Sequence, residues 1–232
     1  GESAGAHSVG QVLTSPLSYG LVHRAIAQSG IGTHQFTSLS HPREGWKSGH
    51  EMGLAFAGAL GVDGKNQVEQ LRKIPAAQLV EAFDDRRDLD GLSHPVVDGW
   101  VLAKSTAATI AAGEHPRIPL IVGTNADEGT LLAPLVGTPI VSHFPGPTNK
   151  AEYDDIIRSA FPDNAGDVLA LYPVADDAEL ADGINTLFGD HFFGMQAWFT
   201  VNETSRRGTP TWVYFFTRKS PSASQWAGAY HA

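Results

Sequence analysis

Helical and strand-like stretches alternate along this chain of 232 residues, and that alternation narrows its fold more than any other feature. The helical stretches are Ala4 to about Leu13, Pro42 to about Gly58, 66–83 as two short helices broken at Pro75, 150–160, 164–171, and 177–206 with a kink near Gly189 or Gly194. The strand-like stretches are short and apolar: "VHRAIAQSG" with a turn at Ser29-Gly30, "HPVVDG", "IPLIVGTN" and the aromatic "TWVYFFTR". Interleaving of this kind predicts an α/β class with a largely parallel sheet. Functional residues of such sheets gather where strands end. "DDRRDLDG" reads as a solvated turn, the proline- and glycine-rich 133–149 as a loop, and "KSPSASQWAGAYHA" as a terminal loop.

Composition removes several function classes. Hydrophobic residues make up 42% and charged residues 18%, enough apolar surface for a packed core rather than a disordered chain. The net charge of −9, with no Lys/Arg cluster, argues against a nucleic-acid partner. With no cysteine, disulfides, thiolate catalysis and Cys-based zinc sites are excluded, while the compartment stays open. No apolar run reaches the length of a membrane span. Asn202-Glu203-Thr204 matches a glycosylation triplet but falls in a helical stretch, and reads as a chance match.

The first five residues, Gly1-Glu2-Ser3-Ala4-Gly5, match G-x-S-x-G directly before an apolar helix. The pattern predicts a strained strand-to-helix corner that raises the serine hydroxyl, with no room for a Cβ at either glycine. The helix N-terminus then favours a developing negative charge, and the Ala4 amide is a candidate oxyanion donor. The acid should follow a buried strand, and "IPLIVGTNADEGTLL" offers Asp127 or Glu128. The base must follow the acid, which leaves His143, His191 and His231. His143 lies in the loop only a few residues on. His191 sits among aromatics in a helical stretch, and His7 would point away along its helix. His231 lies in the loop after the last strand, where the order serine, acid, histidine requires it.

Taken together, "GESAGAHSV", "LVHRAIAQSG", "PVVDG", "GTNADEGTLL" and "GAYHA" occur in an order that resembles the type B carboxylesterases, the carboxylesterase/cholinesterase family of α/β-hydrolases. The resemblance implies Ser3 as nucleophile, Glu128 rather than Asp127 as acid, and His231 as general base. It implies hydrolysis of a small-molecule carboxylic ester through an acyl-enzyme, with no metal or organic cofactor. Ser29 matches a serine that supports the triad from behind. A turn hydroxyl capping its own backbone is the alternative. Asp98 matches a motif position of structural role. Leu131 and Leu132 stand where choline-specific members carry aromatics, so choline esters are disfavoured. Leu131, Leu132 and Phe36 are candidate substrate-pocket residues. Trp46, Phe192, Phe193 and Trp198 read as further pocket walls or as core packing.

Relative to that family the chain reads as one incomplete α/β-hydrolase catalytic domain over 1–232, running from the nucleophile turn to the histidine loop. The earlier strands, the glycine-rich oxyanion loop and the end of the fold are expected to be missing. One lost oxyanion donor costs ~2.7–4 kcal/mol in barrier, so the piece alone is expected to be nearly inactive. The alternative to an enzyme is a non-catalytic relative that serves in adhesion or binding. The compartment and oligomeric state are left open.

Overall fold

Six residues of the most apolar run form the central strand, β4 (Leu120–Asn125). The computed structural model describes residues 1–232 except 33–35, 43–45, 85–88, 90–93, 133–145, 223 and 232. β1 (Ala25–Gln28) pairs with β4 on one side and β5 (Thr211–Phe216) on the other, both parallel, in the order β1-β4-β5. Their register sets Gln28, Gly123 and Tyr214 in one row, and Glu2 pairs parallel with Gln28 to extend the sheet past β1. A second pair, β2 (Thr37–Ser38) and β3 (Val96–Val97), is also parallel.

Helices α1 (Ala4–Thr14) and α9 (Met195–Arg206) cover one face of the larger sheet, and α5 (Thr106–Ala112) packs against both. Ala6, Leu13, Ala27, Ile31, Leu120, Val122 and Ala197 form the core there. On the opposite face Ile26, Ile121 and Trp212 stand in one row and remain 49%, 37% and 56% exposed. A second cluster joins α6 (Lys150–Ala160), α7 (Ala165–Leu171) and α8 (Leu180–Gly189) through Tyr153, Ile157, Val174, Leu180 and Leu187. The Tyr153 hydroxyl donates to the Tyr172 carbonyl at 3.0 Å, and burial pushes its pKa up to about 12. Between α8 and α9 the chain makes a π turn, Asp190–Gly194, closed by the Met195 amide on the Asp190 carbonyl.

Most of the expected elements form, including the break at Pro75 between α3 (Gln67–Leu71) and α4 (Ala76–Asp84). The helix expected from Pro42 begins seven residues later, as α2 (Gly49–Ala59). Its start is set by a capping box: the Glu51 amide donates to Ser48 Oγ at 3.2 Å, and the Ser48 amide donates to the Glu51 carboxylate at 2.8 Å. The Ser48 amide, and after it the Ser48 hydroxyl, hold the Glu51 carboxyl below its usual range. Ser48→Ala is expected to cost about 1 kcal/mol, read as a lower denaturant midpoint with an unchanged slope. Helix α5 has a full cap signature of its own, with Ser105 Oγ accepting the Ala108 amide and Gly113 in the left-handed region. Most of "DDRRDLDG" and of the 133–149 loop lies outside the described residues.

Candidate active site

Ser3 sits at φ +51°, ψ −121°, a conformation that side chains rarely adopt. β1 holds it there. The Ser3 amide donates to the Gln28 carbonyl and the Gln28 amide to the Gly1 carbonyl, both at 2.9 Å. A Cβ on Gly1 would lie 2.4 Å from the Gly5 carbonyl oxygen, as expected for a crowded corner. Gly5 departs from expectation, since a Cβ there would meet nothing within 4 Å. It lies on the exposed first turn of α1, away from the sheet. The second crowded glycine is Gly30, where a Cβ would fall 2.8 Å from the Ser3 carbonyl oxygen and 2.9 Å from Ala6 Cβ. Ala4 is the first helical residue, so its amide has no acceptor within the helix.

The two acids after β4 have separate tasks. Glu128 is 3% exposed, and one of its oxygens accepts the Asn125 amide at 2.8 Å while the other lies 2.8 Å from His231 Nδ1. Asp127 instead pins the histidine loop. Its carboxylate accepts the Ala229 amide at 2.7 Å, its own amide donates to the Ala229 carbonyl at 3.0 Å, and Asn125 Nδ2 donates to the Tyr230 carbonyl at 2.7 Å. Gly228, at φ +72°, passes so close that a Cβ would meet the Asp127 carboxylate at 2.2 Å. This position requires glycine on both counts.

His231 closes the constellation. Its Nε2 lies 2.7 Å from Ser3 Oγ. A carboxylate can only accept, so the Glu128 contact assigns the ring proton to Nδ1 and leaves Nε2 to accept from the serine hydroxyl. Glu2 contributes a second carboxylate oxygen, 3.4 Å from Nε2 and buried without a hydrogen-bond partner among the described residues. The Phe193 ring stacks on the imidazole, with centroids 4.4 Å apart and planes 28° from parallel. Of the other histidines, His7 meets Phe36 edge-on, His191 meets Phe192 edge-on, and His143 lies outside the described residues.

Ser29 is 1% exposed, with φ +54°, and its hydroxyl meets no partner at good hydrogen-bond geometry among the described residues. It does not cap its own backbone. The Tyr214 phenol lies beside Gln28 and Ser29, and its pKa is raised by burial first, then by the Glu128 and Glu2 carboxylates. Asp98 has the structural role expected of it, accepting the Trp100 and Leu102 amides at 2.9 and 3.0 Å. Leu131 is exposed and Leu132 half-buried on the turn after Glu128. Trp46 and Phe192 are half-buried, and Trp198 is 68% exposed on α9.

Glu2, Asn125 and Tyr214 are not singled out by sequence, and Phe193 is expected only as a pocket wall or core residue, not against the histidine. Glu2 and Asn125 lie inside the quoted motifs, whereas nothing local marks Tyr214 or the contact of Phe193 with His231. Among the described residues no cluster of His, Asp or Glu could hold a metal ion, and no helix is long and apolar enough to cross a membrane.

The model of the carboxylesterase family matches residues 1–232. The chain is 30% identical over 223 residues to a fumonisin B1 esterase from Sphingopyxis macrogoltabida, covering 94% of this chain and 37% of that protein. It is 27% identical over 237 residues to a liver carboxylesterase from Sus scrofa, covering 93% and 40% respectively. It is 24% identical over 253 residues to an acetylcholinesterase from Leptinotarsa decemlineata, covering 100% and 39%. The chain thus spans 37–40% of the length of these relatives. With a match over its whole length, the chain belongs to the carboxylesterase family, whose α/β-hydrolase fold is consistent with the parallel sheet and flanking helices described above.

Proposed function

We propose that the protein carrying this chain is a serine carboxylesterase, with Ser3 as nucleophile, His231 as general base and Glu128 as the acid that orients it. What supports this reading is the unbroken contact chain from Ser3 Oγ to His231 Nε2 at 2.7 Å and from Nδ1 to Glu128 at 2.8 Å. His231 Nε2 takes the hydroxyl proton as Ser3 Oγ attacks the ester carbonyl. The carbonyl π pair moves onto oxygen, and the Ala4 amide at the start of α1 donates to that oxyanion. Collapse expels the alkoxide, which takes the proton from Nε2 and leaves as the alcohol. Water then gives a proton to Nε2 and attacks the acyl-enzyme. The acid departs, and Ser3 Oγ regains its proton. Glu128 stays ionised and offsets the charge on the imidazolium. The Glu2 oxygen gains attraction to Nε2 only once that nitrogen carries the proton.

The substrate class is a small-molecule carboxylic ester, a reading supported by the similarity to a fumonisin B1 esterase and a liver carboxylesterase. Leu131, Leu132 and Phe36 are proposed to line its site, and Ser29 to support the triad from the end of β1. Fluorophosphonate labelling of the intact protein, followed by peptide mapping, tests the assignment. The label is expected on Ser3 alone, with loss of esterase activity in proportion. An active enzyme labelled elsewhere would overturn it.

A further inference from the structure

We propose that Phe193 is a positioning residue that holds the His231 ring in plane with Ser3 Oγ and Glu128 during the second half of the reaction. The proposal rests on the esterase reading above. Both imidazole nitrogens lie in the ring plane, so both hydrogen bonds require that plane to contain Ser3 Oγ and the Glu128 oxygen. In the resting site two bonds, at 2.7 and 2.8 Å, fix it. Once Ser3 Oγ is acylated it no longer has a proton to donate, and the bond to Nε2 is gone. The ring then pivots on a single hydrogen bond, at Nδ1. Among the described residues, the Glu2 oxygen then stands at the ring's edge, 3.4 Å from Nε2, and the Phe193 ring, face-on at 4.4 Å and 28°, is the contact that resists rotation out of plane.

Phe193 is itself firmly seated. It is 7% exposed and meets Phe188 edge-on at 6.4 Å. It belongs to the π turn, whose extra residue resets the phase between α8 and α9 by roughly 100°. The same wall supports the acid: a Cβ on Gly189 would lie 3.3 Å from Glu128 Cβ, and one on Gly129 would meet the Asn185 carbonyl at 2.3 Å. One helix–turn–helix segment therefore backs both partners of the hydrogen bond that survives acylation.

The distinguishing readout is which half-reaction slows. Phe193→Leu keeps an apolar side chain and removes the ring face. In the intact protein, with p-nitrophenyl acetate in stopped flow, deacylation is expected to slow about tenfold or more while acylation changes little. Then kcat and KM fall together, kcat/KM stays near wild type, and the nitrophenol burst approaches one equivalent per labelled serine. Phe193→Tyr, which keeps the ring, is expected to restore wild-type deacylation. A merely structural role would lower the titre of labelled serine and leave KM unmoved, and that result overturns the proposal. So do wild-type kcat and KM in a folded Phe193→Leu. Should that variant not fold, Phe193→Met, also ringless, is read by the same outcomes. Ser3→Ala in parallel separates the two readings. An active Ser3→Ala sinks the esterase assignment, whereas an inactive one beside a wild-type-like Phe193→Leu sinks only the role of Phe193.

Discussion

Replacing Glu128 with glutamine is expected to lower kcat by about 10⁴ while leaving the fold intact. The change is isosteric, and the Asn125 amide, 2.8 Å from one carboxylate oxygen, still needs an acceptor. The glutamine oxygen therefore stays on Asn125, and its NH₂ group faces His231 Nδ1. Two N–H groups cannot share that contact, so the imidazole moves its proton to Nε2. That nitrogen then points a donor at Ser3 Oγ and can no longer take the hydroxyl proton. Glu2 cannot substitute, because its oxygen stands by Nε2, the wrong nitrogen. Steady-state kinetics beside a thermal melt check the outcome. A loss below tenfold, with an unchanged melt, would show that Glu128 does not set the tautomer.

Gly123→Val is expected to be the most destabilising single change at the sheet. A Cβ at Gly123 would fall 2.3 and 2.4 Å from two ring atoms of Tyr214 and 2.4 Å from its carbonyl oxygen. Tyr214 lies flat across this glycine, which is how a side chain on β5 reaches Gln28 and Ser29 on the far side of β4. Any side chain at 123 must push the ring off the sheet and part β4 from β5. Overpacking of this kind costs about 3 kcal/mol, and the collision with backbone places this site at the severe end. The check is a denaturation midpoint on purified protein. Shortening Tyr214 to alanine in the same chain is expected to recover only part of the loss, since the contact with its carbonyl remains. A Gly123→Val protein as stable as wild type would mean that Tyr214 is not seated on this glycine.

Sequence showed the α/β class because the periodicity that marks each element is local. The run Leu120–Asn125 and the break at Pro75 are examples, and both stand as expected. Pro42 is a helix opener by type, but the start of α2 is set by the pair Ser48 and Glu51. Helix α5, absent from the sequence expectation, is bracketed by Ser105 and Gly113. In both cases the capping signal is local and present in the sequence. Strand β2 is different. Two residues, Thr37 and Ser38, have no detectable period, and they become a strand only because Val96 and Val97 lie beside them.

The site divides in the same way. Ser3, Glu128 and His231 were legible because each sits in a short motif, and the structure brings the three together. Crowding at the nucleophile turn is expected at Gly1 and Gly5; Gly1 is crowded, but the second crowded glycine is Gly30, which meets Ser3 only after β1 has paired with the residues ahead of the turn. Phe193 and Tyr214 had no motif at all. Their places follow from a π turn and from a register across three strands, which are properties of the assembled sheet and helices.

The link between Ser3 and His231 spans 228 positions of sequence, and the one between Glu128 and His231 spans 103. Loop closure over such distances costs entropy before any contact offsets it. Helices such as α6 and α2, which depend on caps a few residues away, can form early. The ladder that joins Asn125 and Asp127 to Ala229 and Tyr230 has to wait for nearly the whole chain to be in place. The contacts proposed to carry the chemistry are thus among the longest-range contacts of the chain. A molecule of this chain that holds Ser3, His231 and Glu128 in contact has already completed most of its folding.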